Sequence, residues 1–180
     1  MSNELCTWDD LDIELTRWHE AARTVTLWWR DDDASVAQPA LRRLGELSAR
    51  WQVPLSLAVI PARADSTLLA ILDDCPGAKV LQHGYAHVDH GNGAEPAAEL
   101  GKHRPAQLVL DELNRGFERL NDVLSEFLLP VLVPPWNRIE RSLVTELVAR
   151  GYRGLSCFSA REPYTGCAGL TVSNCHVDPV

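Results

Sequence analysis

Leu27-Trp28-Trp29-Arg30-Asp31-Asp32-Asp33-Ala34 is the stretch on which the reading of this chain turns. The run Val25 to Trp29 is apolar and β-prone, and it reads as a buried strand. It ends in three consecutive carboxylates. Their mutual repulsion raises the energy of the folded chain unless something cationic neutralises them. Arg30 can neutralise one, and a metal ion is the natural partner for the others. The competing reading is a solvated acidic turn after an edge strand. A second stretch, His83-Gly84-Tyr85-Ala86-His87, weighs against it.

Outward from the triplet, apolar strands and amphipathic helices alternate. Asp9 to Ala22 has helical spacing, with Leu11, Leu15 and Trp18 on one face. After the triplet, Ser35 is the expected cap of a helix with Pro39 in its first turns, running to Trp51. A second strand is expected at Val53 to Pro61 and a short helix at Ser66 to Asp73, capped by its serine. A third strand, Ala78 to His83, leads into a polar Gly- and Pro-rich loop over Gly91 to Pro105. Pro105 to Leu129 reads as a long amphipathic helix and Val131 to Val133 as a short strand. Glu140 to Arg150 reads as a helix stopped by Gly151, with strands at Gly154 to Ser159 and Leu170 to Ser173. This order, without hairpin signals, means βαβ units and a parallel sheet. The chemically able residues fall just past the strands: Asp31 to Asp33, His83 and His87, Asn137 and Arg138, His176 and Asp178. In an α/β barrel such positions converge on one face, and in an open doubly wound sheet they line a crevice. No GxGxxG or Walker A pattern follows a strand, which leaves a nucleotide site without support.

Composition narrows the classes. The 180 residues fit one domain over 1–180. A formal net charge of −8 argues against nucleic acid or an anionic membrane surface as partner. No apolar run is long enough to span a bilayer. The first ten residues have neither a basic nor an apolar signal region. Five cysteines, an odd count without CxxC spacing, read as reduced thiols, so a cytoplasmic location is expected.

His83 and His87 stand at i, i+4. On a helical turn that spacing puts both imidazoles on one face, able to share an ion. One carboxylate from the triplet completes a two-His, one-carboxylate site with positions open for water and substrate. Ligand type puts zinc first for the single divalent metal, although Fe, Co, Ni or Mn take the same set. His90 and His103 read as loop histidines and His19 as a surface one. Trp28, Trp29 and Trp51 read as core, and only Trp136 sits where a groove is expected.

Asp32-Asp33, His83-Gly84-Tyr85-Ala86-His87 and Pro134-Pro135-Trp136-Asn137-Arg138 resemble, in order, the first three motifs of the polysaccharide deacetylase superfamily (NodB homology, carbohydrate esterase family 4). The closer resemblance is to its members with an Arg-Asp-Asp-Asp first motif. It covers Leu27 to Arg138 well and is looser beyond. It implies a distorted (β/α) barrel of about seven parallel strands. It also implies a metal-dependent hydrolase that removes an acetyl group from the nitrogen of an N-acetylated sugar or glycan. By the same resemblance Asp32 is the general base and Asp33, His83 and His87 are the metal ligands. Sliding the aspartate pair to Asp31-Asp32 stays open. Pro135 and Trp136 would wall the substrate groove.

Two departures matter. The family's third motif opens with an arginine that orients the base. Here Val133 stands at that position, and Arg138 or Arg30 is the substitute. The family's acid is a late histidine, and His176 is the only one available. Alternatively, His176 and Asp178 support a penultimate strand and the acid lies on a further one. About 200 residues is the low end for a closed barrel, which leaves open a domain short of its last strand and helix. An exposed edge would then be paired in a homodimer or covered by a loop. Two other functions remain: a catalytically inactive carbohydrate-binding barrel, and an amidohydrolase of non-sugar amides.

Overall fold

The structure, a computed structural model, describes residues 7–24, 26–158 and 168–176. The expected strand residues Val25 and Ser159, and also Asp178, lie outside them. Helix α1 (Trp8–Glu20) is followed by strand β1 (Trp29–Ala34), helix α2 (Pro39–Trp51) and strand β2 (Leu55–Val59). Then come a short helix α3 (Leu69–Leu72), strand β3 (Lys79–His83) and the long helix α4 (Ala106–Leu124). Strand β4 (Leu128–Val133), helix α5 (Arg141–Leu147) and the two-residue strands β5 (Gly154–Leu155) and β6 (Thr171–Val172) complete the order. None of the described helices is long and apolar enough to cross a membrane.

Among the described residues all six strands are parallel and pair in chain order, β1 to β6. Each new strand is added on the same side of the last. That is the winding of a β/α barrel, whereas a doubly wound sheet reverses direction part-way. One side chain reports the curvature. Arg30, on β1, places Nη1 2.7 Å from Ser156 Oγ, just past β5. In a flat sheet four strand spacings would separate β1 from β5 by about 19 Å, beyond any arginine. The sheet therefore curls toward closure, with β1 and β6 as its edges among the described residues. Among the described residues the sheet has six strands, beside the expectation of about seven.

The outer face of the sheet is sealed by helices. Leu41 of α2, Ile71 and Leu72 of α3, and Leu120 and Leu124 of α4 pack on Leu55, Leu57, Val59 and Val80. A second cluster joins Leu110 and Leu113 of α4 to Leu143, Leu147, Leu132, Leu155 and Tyr152. β2 is buried along nearly its whole length, as a two-sided apolar run should be. Inside the curl lies a smaller cluster, Ala58, Leu81 and Val133.

Several expectations shift. The acidic triplet is inside β1, which starts at Trp29 and ends at Ala34. Parallel pairing with β2 uses backbone groups, so carboxylates are admitted wherever their side chains find partners. Pairing steps from Asp31↔Leu57 to Ala34↔Val59, a bulge that sets an extra residue in β1. Gln38, not Ser35, holds the N-cap of α2, with Pro39 opening the helix. Asp65, not Ser66, caps the turn before α3, accepting the Thr67 N–H. α4 stops at Leu124, and β4 begins at Leu128 despite Pro130. The β3–β4 register slips there, and a bulge tolerates a missing N–H. α1 has no buried residue, and Trp28 and Trp51 are exposed, so neither tryptophan is core. Trp29 does pack on the core.

Candidate metal centre

Strand alternation sends Arg30 and Asp32 to one face of β1 and Asp31 to the other. Without the bulge Asp33 would follow Asp31. The bulge gives Asp33 a left-handed backbone, φ +66°, and re-aims its carboxylate. Asp33 Oδ1 comes to lie 3.2 Å from His83 Nε2 and 3.1 Å from His87 Nε2. The ligating atoms of all three residues fall within 4.8 Å of one another.

The two histidines are not on a helix. His83 ends β3, and the chain then turns through Gly84 (φ +56°) to His87 (φ +57°). The imidazoles still meet, their centroids 5.1 Å apart. His83 Nδ1 is 2.9 Å from the Val133 carbonyl, an acceptor that requires Nδ1 to carry the proton. Nε2 is then a lone pair aimed at a carboxylate oxygen, an arrangement stabilised only by a cation or a second proton between them. Two ligands on a tetrahedral zinc, with bonds near 2.05 Å, stand about 3.3 Å apart. The observed 3.1 and 3.2 Å are close to that spacing, and His83 makes the Nδ1–carbonyl bond common to ligating histidines. These residues fit a divalent ion by donor type and by distance. When a second proton rather than an ion lies between His83 Nε2 and Asp33, that hydrogen bond holds the Asp33 carboxyl below its usual range, and the charges of His87, His83 and Arg63 add to this against some desolvation. Asp33 itself is two-thirds exposed, which leaves the centre open on one side.

Asp32 stands beside this centre in the grip of Arg30, whose side chain is only 4% exposed. Arg30 Nη2 donates to Asp32 Oδ2 at 2.9 Å and to Asn137 Oδ1 at 3.0 Å. Nη1 donates to Ser156 Oγ and, at 3.2 Å, to the Ser156 carbonyl. Nε lies 2.8 Å from Asp32 Oδ1, close enough for charge pairing. Its N–H is not aimed at that oxygen, however, and Oδ1 accepts no hydrogen bond. The carboxylate is held and neutralised while keeping acceptor capacity to spare. Asp31 lines the cleft between β1 and the start of α2. Burial, with the charges of Asp32 and Asp33, pushes its carboxyl up to about 6.

Trp136 lies 4.3 Å from the His87 ring, centroid to centroid. Trp136 (φ +53°) and Asn137 (φ +57°) are both left-handed, a costly pair that this turn sustains where the Asn137 amide must reach Arg30. Pro135 is buried behind them. Arg138 and His176 lie outside the Asp33–His83–His87 cluster. Arg138 is exposed and donates to the Ala97 carbonyl at 2.9 Å, while Arg30 is the arginine bonded to Asp32. Curvature carries β1's inward side chains across to β5. His176 is exposed after β6 and takes no part in the Asp33–His83–His87 cluster. It is tied to the same end of the sheet, since Asn174 Oδ1 accepts the Cys157 N–H next to Ser156.

No family model and no curated relative matches the sequence. Solved structures do. IcaB from Ammonifex degensii superposes with a TM-score of 0.66 at 12% identity, over 99% of this chain and 87% of that one. The chain has the fold of the carbohydrate esterase family 4 deacetylases. A family 4 carbohydrate esterase from Streptomyces lividans in complex with acetate aligns at TM-score 0.58 and 11% identity, covering 82% of this chain and 78% of that. The Streptococcus pyogenes deacetylase PplD, also in complex with acetate, aligns at 0.57 and 14% identity over 81% of this chain. The chain spans only 62% of PplD's length.

On this deacetylase fold one residue goes unnoticed in the sequence. Glu99 falls in the stretch read as a polar loop, yet it is buried and bonded to the histidine turn. Its signal is faint: a carboxylate just before an apolar Leu100 in an otherwise small, polar segment.

Proposed function

We propose that this protein is a metal-dependent hydrolase of the polysaccharide deacetylase superfamily that cleaves the acetyl group from the nitrogen of an N-acetylated sugar. What supports this is the convergence of His83 Nε2 and His87 Nε2 on one oxygen of Asp33, with a second carboxylate held beside them by a buried arginine. Asp33, His83 and His87 would hold the ion. A divalent ion there, zinc first on ligand type, supplies polarisation of the acetyl carbonyl and acidification of water.

The chain's own groups do the rest. Asp32, fixed by Arg30, takes the proton of the attacking water. Pro134 and Pro135 carry no N–H, so the Trp136 amide is the first donor of its turn and is the proposed donor to the developing oxyanion. Trp136 and Pro135 wall the groove for the sugar ring. His176 is the proposed acid for the leaving amine. Its exposed position favours one alternative: a barrel that binds carbohydrate and metal without turnover.

One preparation tests these readings. Protein stripped by chelator and reloaded should bind one zinc and release acetate from N-acetylglucosamine oligomers. Asp33→Ala, His83→Ala and His87→Ala should each lose the metal, and stoichiometric zinc in all three would refute the site. Metal bound without acetate release, in wild type, would favour the inactive barrel. His176→Ala with zinc bound and turnover intact would remove His176 as the acid.

A further inference from the structure

The turn from His83 to His87 has no helix to set its shape, and both Gly84 and His87 sit in left-handed backbone. Something outside the turn must fix it. Glu99 is 1% exposed and belongs to the long connection between β3 and α4. Its Oε2 accepts the Tyr85 N–H at 3.0 Å and its Oε1 accepts the Ala86 N–H at 2.7 Å. Those are the two amides immediately before His87. A Cβ on Gly84 would fall 2.0 Å from Glu99 Oε2 and 2.6 Å from Pro135. The turn, the glutamate and the proline behind Trp136 are therefore in direct contact.

We propose that Glu99 is a positioning residue for the metal centre: its carboxylate fixes where His87 Nε2 stands relative to His83. The proposal rests on the metal reading above. His83 is already oriented by the Val133 carbonyl, so an error in the turn falls on His87 alone. Both glutamate oxygens must accept. A carboxylate offers two acceptor oxygens and an amide only one, so glutamine would set its NH₂ against a backbone N–H. The segment bearing Glu99 is itself clamped. Arg138 Nη1 donates to the Ala97 carbonyl, the Glu140 N–H donates to the Leu100 carbonyl at 2.8 Å, and Leu100 bridges Ile139. On the other side the Ala98 N–H donates to Asp89 Oδ1. Arg138 thus has a place in the site after all, holding the glutamate segment against the Trp136 turn.

The test uses the full chain and metal ions alone. Affinity for zinc is measured by competition with a chromophoric chelator, and the Co(II)-loaded protein is examined by visible absorption. Glu99→Gln should bind zinc about 10- to 100-fold more weakly than wild type, the range for loss of a group that orients a ligand. Its Co(II) bands should fall in intensity as the geometry departs from tetrahedral. Arg138→Ala, at an exposed position outside the core, should weaken zinc in the same direction by a smaller factor; if Glu99→Gln does not fold, unchanged zinc affinity in Arg138→Ala overturns the proposal. Wild-type zinc affinity and wild-type Co(II) bands in Glu99→Gln would overturn the proposal, because a merely structural glutamate lowers the melting temperature of the metal-free protein without moving the spectrum. A wild type that binds no metal overturns the metal reading itself, and the proposal with it.

Discussion

Arg30→Lys is the perturbation that probes fold and site together. The guanidinium joins Asp32 on β1 to Asn137 after β4 and Ser156 after β5, through four hydrogen bonds and a charge contact. A lysine keeps the charge, but its single nitrogen can serve only one end of that span. If it stays with Asp32, the bonds to Asn137 Oδ1, Ser156 Oγ and the Ser156 carbonyl are lost. At about 1 kcal/mol net per bond the loss is about 3 kcal/mol, and more if buried Ser156 is left without a partner. For a chain of this size that lowers the melting temperature by about 6–12 °C. Calorimetry of the metal-free protein measures it. Zinc binding should survive, since Asp33, His83 and His87 do not touch Arg30. Turnover should fall, because Asp32 is no longer held from two sides. A melting temperature within a degree or two of wild type would refute the span, and with it the curled sheet. A clear destabilisation with undiminished turnover would instead remove Asp32 as the base.

Asp32→Asn should keep zinc and lose turnover, and unchanged acetate release would assign the base elsewhere. Gly84→Ala meets both a left-handed backbone and a Cβ 2.0 Å from Glu99 Oε2. It should cost about 2 kcal/mol or more and weaken zinc, so a neutral result would show that the turn is not tightly packed. The Asp31 carboxyl has a folded value near 6, above its ordinary 3.8. Its contribution to stability is full below pH 3.8 and is lost as pH rises through 6. In chelator, Asp31→Asn should therefore gain stability over wild type at pH 7 and lose that advantage by pH 4; a pH-independent difference would contradict the shift. Trp136→Ala removes a ring 4.3 Å from His87. It should raise KM for N-acetylated oligomers by about 2- to 12-fold, the value of one ring contact, with kcat little changed. An unchanged KM would take Trp136 out of the groove.

The parts of the fold that could be read from the chain are those set by local pattern. Alternating apolar strands and amphipathic helices require a parallel sheet whichever way it closes, and the residue types past the strands already suggest a metal. What could not be read depends on contacts distant in sequence. Arg30 reads as a neighbour of the aspartates, but its reach to Ser156 exists only because the sheet curls. Glu99 reads as loop because its partners, two backbone amides, leave no mark in residue identity. The histidine pair suggested a helical turn, since i, i+4 spacing is shared by helices and by a turn with left-handed residues at Gly84 and His87. The triplet shows the limit most plainly. Three identical side chains in a row acquire three environments: Asp31 in a cleft with its carboxyl pushed up, Asp32 against a buried arginine, Asp33 facing two imidazoles. Strand alternation separates the first two, and a single extra residue in β1 separates the third. That bulge is specified by the register of β1 on β2, Asp31 with Leu57 and Ala34 with Val59. Shifting it by one residue would exchange the faces of Asp32 and Asp33 and dismantle the centre without changing a letter of the motif.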